Sequence, residues 1–123
     1  MVDLTGGSRG LLYVLETRAL GLPWLNGLFP GSSAVAMETL GLENCADLAK
    51  AWVLIEPEGR YRLDHASVMA SFGAGQADYA IAATFDRPVF SWDYPGARQF
   101  LFKPVRAATP AAQSCREARR QRP

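Results

Sequence analysis

Apolar positions near the start of the chain recur at helical spacing. Leu11, Leu12, Leu15 and Ala19 share one side while Glu16 and Arg18 fall on the other, which predicts a helix that Ser8 can cap and that Gly21 and Pro23 stop. Residues 22–29 are apolar but interrupted by Pro23 and Gly27. They read either as one short extended strand or as an irregular apolar loop against the core. Ser32 or Ser33 then caps a short helix over Ala34–Leu40 that ends at Gly41, and residues 43–50 form a turn or second short helix. The run Ala51-Trp52-Val53-Leu54-Ile55 is short, continuously apolar and rich in strand formers, as a strand buried on both faces would be. Pro57-Glu58-Gly59 makes a turn, and Arg60-Tyr61-Arg62-Leu63 alternates, so a β-hairpin is expected over 51–63.

Downstream, Asp64 caps a helix through Val68, Met69 and Phe72, which Gly73 and Gly75 stop. A further helix is predicted over Gln76–Phe85, an extended or irregular stretch over 88–95, and a last short helix over Gly96–Phe102 before Pro104. From Ala107 onward Ala, Pro, Gln and Arg dominate and core formers vanish, so this segment reads as a flexible tail. The expected fold class is therefore α/β (or α+β): a small sheet with a β-hairpin at 51–63, flanked by helices. Residues 1–106 form one globular domain and 107–123 a basic tail. No internal repeat is visible.

Length and composition narrow the class. At 123 residues, with 49% hydrophobic and 20% charged residues, the chain has material for one ordinary core. Its longest apolar stretches, Ala51–Ile55 and Tyr79–Ala83, fall far short of the ~20 residues a membrane helix needs. The polar, glycine-rich first ten residues are unlike a secretory signal, and the early Asp3 and Glu16 are unlike a transit peptide. Charge is unevenly spread. Residues 98–123 carry seven bases and one acid, net +6, whereas residues 1–97 carry six bases and eleven acids, net −5. Such asymmetry can mark an anionic partner.

Cys45 and Cys115 are the only cysteines, and neither a Cys-x-x-Cys nor a Cys/His cluster of zinc spacing occurs. This usage points to two free thiols in an intracellular, reducing compartment: cytoplasm, or an organelle matrix if a precursor was trimmed. A Cys45–Cys115 disulfide is the alternative, and it would tie the tail to the domain.

The candidate chemistry is sparse. His65 is the only histidine, within Asp64-His65-Ala66-Ser67, but adjacent residues at a helix start point apart, and Asp64 is explained as a cap. Thr5-Gly6-Gly7-Ser8-Arg9-Gly10 could offer backbone amides to phosphate, yet it lacks the Walker lysine and the full Gly-x-Gly-x-x-Gly spacing. Cys45 stands near a helix start that would favour a thiolate, while Glu43 and Asp47 oppose one; it is the single weak catalytic candidate. The aromatics Phe90, Trp92, Tyr94, Phe100 and Phe102 suit a core, or a partner-binding patch where exposed. Arg116, Arg119 and Arg120 head the basic tail, which could meet nucleic acid or another polyanion. No residue set suggests a cofactor or a metal.

The segment GLENCADLAKAWVLIEPEGRYRLDHASVMASF resembles the second half of the DCC family of thioredoxin-fold proteins. The matching positions are Val53, Leu54, Ile55, Gly59, Arg60, Tyr61, Asp64 and Ala66. The later YPGARQFLFKPVRAATPAAQSC loosely resembles that family's C-terminal helix and basic end. The resemblance implies a thioredoxin-like scaffold. Asp3 could answer to the family's aspartate, but Gly6 and Arg9 stand where its two cysteines belong, so dithiol chemistry is not implied.

These observations lead to a non-enzymatic interaction or assembly subunit, binding a protein partner or sitting within a multi-subunit complex, on a degenerate thioredoxin-like scaffold. The alternatives are a thiol–disulfide redox protein acting through Cys45, and a polyanion or nucleic-acid binder acting through the tail.

Overall fold

The structure is a computed structural model that describes residues 1–6, 9–22, 25–86 and 97–122. Its elements run β1 (Val2–Asp3), α1 (Arg9–Val14), α2 (Ser32–Gly41), α3 (Cys45–Lys50), β2 (Val53–Ile55), α4 (His65–Ser71), a 3₁₀ turn (Gln76–Asp78), β3 (Tyr79–Asp86), β4 (Arg98–Pro104) and α5 (Ala108–Arg120). The four strands form one mixed sheet in the order β1-β2-β4-β3. β1 and β2 are parallel, and β4 runs antiparallel to both β2 and β3.

Register assigns the two faces of this sheet. Val2, Val53 and Phe102 lie across from one another and enter the main core with Leu4, Ile55, Leu48, Val68, Met69 and Phe72. One position along, Asp3, Leu54 and Leu101 face the other way, where Met1, Leu54 and Leu101 pack with Leu12 of α1. β2 is thus buried on both faces, as its unbroken apolar run implies.

The caps follow local chemistry in part. Asn44 accepts from the Ala46 amide to open α3, and Asp64 accepts from the Ser67 amide to open α4. α2 instead begins after Gly31 with no side-chain cap, because the Ser32 hydroxyl donates to Asn26 O and the Ser33 hydroxyl accepts from the Asp64 amide. α1 stops well before Gly21. Thr17 N donates to Leu12 O and Glu16 N to Tyr13 O, closing a Schellman motif in which Glu16, at φ 50°, takes the left-handed place usually given to glycine. The described part of 22–29 is a succession of turns and not a strand.

Three larger expectations are corrected. Residues 60–63 do not return as a strand, and there is no hairpin over 51–63: β2 is already flanked by β1 and β4. Residues 60–63 instead pass between two glycines. A Cβ on Gly6 would stand 1.9 Å from Tyr61 O and one on Gly27 1.8 Å from Arg62 O. Gly27 N donates to Tyr61 O, and Leu63 N to Leu4 O. Second, the hairpin lies between β3 and β4, over two segments expected to be helical; their strand pairing overrides the Ala-rich local preference. Third, residues 107–123 are not a flexible tail, since 108–120 form α5, whose Ala111, Ala112 and Cys115 are buried against α3 and α4.

Candidate interaction surface

Cys45, the first residue of α3, is bonded to Cys115 in the middle of α5, and no cysteine is free. The expectation of two free thiols is therefore corrected. Both residues belong to the main core, with Cys45 6% and Cys115 1% exposed, so an incoming thiolate has no open approach to either sulfur. A disulfide of this kind sits uneasily with the reducing compartment expected from the cysteine spacing.

The basic segment is largely spent on the fold itself. Arg119 donates to the carbonyls of Leu40 and Glu43, and Arg122 to that of Met37, so two guanidiniums cap the C-terminal end of α2 and the turn after it. Arg106 bridges Gly73 O at 3.0 Å and the Ser114 hydroxyl at 3.3 Å, and lies 3.6 Å from the Asp78 carboxylate. Of the three arginines expected to meet a partner, only Arg116 and Arg120 are exposed. Spacing alone could not reveal this, because the acceptors are main-chain carbonyls up to 85 residues away.

His65 is half-buried at the start of α4 and borders a broad hollow with Arg60, Arg62, Asp64 and Ser33. Its neighbours are engaged elsewhere. Ser67 donates both its amide and its hydroxyl to the Asp64 carboxylate, holding that group below its ordinary pKa, and Arg62 donates to Gly59 O. Among the described residues no three His, Cys, Asp or Glu side chains come together as a metal site needs. No helix among them is long and apolar enough to cross a membrane.

A polar group missed in the sequence lies where β1 and β2 end. Asp3, Thr5, Glu56 and Gln99 are all buried there. Thr5 donates its amide and its hydroxyl to one Asp3 oxygen, at 2.9 and 2.7 Å, and Gln99 Nε2 donates to Glu56 at 3.2 Å. The second Asp3 oxygen has no partner. Burial pushes the Asp3 pKa up, with the Thr5 hydrogen bonds opposing. Gly6, where the resemblance would place a cysteine, has no room for a side chain against Tyr61.

The aromatic patch divides. Phe102 is buried and Phe100 packs against the core, so neither presents the partner surface expected of them, while Trp92 and Tyr94, with Phe90, lie outside the described residues. Tyr79 packs on Phe102 with ring centroids 6.2 Å apart, and burial, then the Asp78 charge, raises its pKa to about 12, keeping it neutral. The open surface lies beside them. β3 is the last strand of the sheet, and among the described residues nothing pairs with its outer edge. Ala80, Ile81, Ala82 and Thr84 are exposed, Ile81 at 58%, and no residue from Tyr79 to Phe85 is charged. Among the described residues, a bulge between Ile81 and Ala83 and the Asp86–Arg98 ion pair at 3.2 Å are what the strand sets against edge pairing.

Of the elements that carry the DCC-family resemblance, the strand at 53–55, the following turn and the helix opened by Asp64 are present, whereas the second strand is not. No protein-family model, curated protein or solved structure matches the chain.

Proposed function

We propose that this chain is a non-catalytic interaction module, and that its contact surface is the outer edge of β3, which receives an extended segment of a partner protein as an added strand. The observation that carries this reading is an eight-residue strand, uncharged from Tyr79 to Phe85, open along one edge and exposed over much of both faces. Unpaired N–H and C=O groups in such a row supply affinity by main-chain hydrogen bonding, and exposed side chains such as Ile81 supply selectivity. The rigid support behind the strand fits the role, because β4 is anchored in the core by Leu101 and Phe102.

The two alternatives have less support. Exchange through Cys45 requires a reachable sulfur, and both are buried in an internal bond. Polyanion binding through residues 107–123 loses Arg119 and Arg122 to backbone carbonyls.

The test is affinity capture from native extract with the intact chain and with Ile81→Lys, which places a charge on the open edge. The reading expects one stoichiometric protein partner that the variant loses, with thermal stability unchanged. A partner retained by Ile81→Lys and lost instead with Arg116→Glu/Arg120→Glu would move the interface to α5.

A further inference from the structure

Where β1 and β2 begin, a cleft of about 340 Å³ opens between the turn that follows α1 and the sheet. Its apolar lining is Met1, Leu15, Ala51, Trp52 and Leu101, with Thr17 and Lys50 as its polar members. The size falls in the range of small-molecule sites, as does the pattern of an apolar body with few polar groups. A shallower hollow of about 220 Å³ continues it past Thr17 and Lys50 towards Arg18 and Asp47.

Lys50 has the one charged side chain among the residues that line the cleft. Lys50 is exposed at its rim and has no ion pair among the described residues. Lys103 Nζ lies 5.8 Å from the centroid of the Trp52 ring, held by the aromatic face and not by a carboxylate. Asp47, the acid of the adjoining hollow, is engaged by Arg18 at 3.5 Å. Trp52 lines the cleft together with Lys50 and lies between the buried Ala51 and Val53, yet is itself 37% exposed. An apolar cleft with one lysine in its lining and a second against its tryptophan is complementary to a ligand with an apolar body and one anionic head.

We infer that this cleft binds a small amphipathic carboxylate, its hydrocarbon part against Leu15, Trp52 and Leu101 and its carboxylate towards Lys50 and Lys103. The site is separate from the β3 edge and stands or falls independently of it.

Octanoate is the probe and octanamide, with the same body and a neutral head, its control. Both are titrated into isotope-labelled protein and followed by amide and indole chemical shifts. The inference expects saturable octanoate shifts at Leu15, Thr17, Lys50, Ala51, Leu101 and the Trp52 indole, with octanamide about tenfold weaker, as loss of a charge-assisted contact implies. The double variant Lys50→Gln/Lys103→Gln, both positions being at the surface, should bind octanoate no better than octanamide. Equal binding of the two probes, unchanged octanoate affinity in the double variant, shifts that map elsewhere, or no saturable shifts would each overturn it.

Discussion

The Arg119 guanidinium donates to the carbonyl of Leu40 at 3.1 Å across 79 positions of sequence, so the last helix closes the end of the second. The same carbonyl also accepts from the Glu43 amide, and the added hydrogen bond from a charged donor is worth roughly 2 kcal/mol. Arg119→Ala is therefore expected to lose about that much in urea unfolding, and Arg119→Lys to recover much of it, since a single guanidinium nitrogen, Nη2, serves both the Leu40 and Glu43 carbonyls and an ammonium can donate to both. Arg120→Ala, at an exposed position, should stay within about 0.5 kcal/mol of the parent.

The disulfide acts on a different contact of the last helix, that between α3 and α5. It closes a separation of 70 residues, for which chain entropy gives about 4 kcal/mol. Cys45→Ser/Cys115→Ser is predicted to lower the guanidinium midpoint accordingly. Alkylation of the reduced parent should be slow until it unfolds. A double-serine form as stable as the parent would remove the bond from the account of stability.

Gly27 is predicted to be intolerant of any side chain. Its Cβ would lie 1.8 Å from Arg62 O, so Gly27→Ala must displace backbone and should cost more than about 2 kcal/mol. Gly31, whose Cβ would meet nothing, is the internal control for space, although its φ of 80° still carries the smaller cost of a left-handed residue.

What the sequence disclosed and what it hid separate along physical lines. The β2 strand was legible because an apolar run of that length is itself the signature of double-sided burial. The Asp64 cap was legible because capping is local chemistry. β3 was not, since Tyr-Ala-Ile-Ala-Ala lacks alternation: no residue of the strand is fully buried, and only Tyr79, Ala83 and Phe85 are half-buried. β4 was hidden by a short apolar run, Phe100–Phe102, that suits helix and strand equally. The last helix looked like a tail because its buried face is only Ala111, Ala112 and Cys115, and its arginines bind carbonyls instead of acids. The cleft beside Trp52 joins the start of the chain, the turn after α1, the end of α3, the approach to β2 and β4, which no spacing rule connects.

Asp3 gives the fold a dependence on pH whose sign is fixed. Its carboxyl is raised above the ordinary 3.8 mainly by burial, so the ionised form opposes folding. Its stabilising contribution is fully present below that value, where the group is protonated in both states, and is lost as pH rises through the raised folded pKa. Asp3→Asn should thus raise the melting temperature at pH 7 by a few degrees and shrink the change in stability between pH 4 and pH 7. Asp64, held below its ordinary value by Ser67, acts oppositely: it contributes above 3.8, and that contribution fades as pH falls through its lowered folded pKa.

The central claim, that the chain works by lending the outer edge of β3, is tested most directly by amide hydrogen exchange over Tyr79–Asp86, measured on the free protein and on the complex recovered from native extract. Binding is predicted to slow exchange in β3 by at least about tenfold while leaving α2 and α4 unchanged, and Ile81→Lys is predicted to abolish the effect. Exchange in β3 that is the same in the free protein and in a stoichiometric complex would contradict the claim.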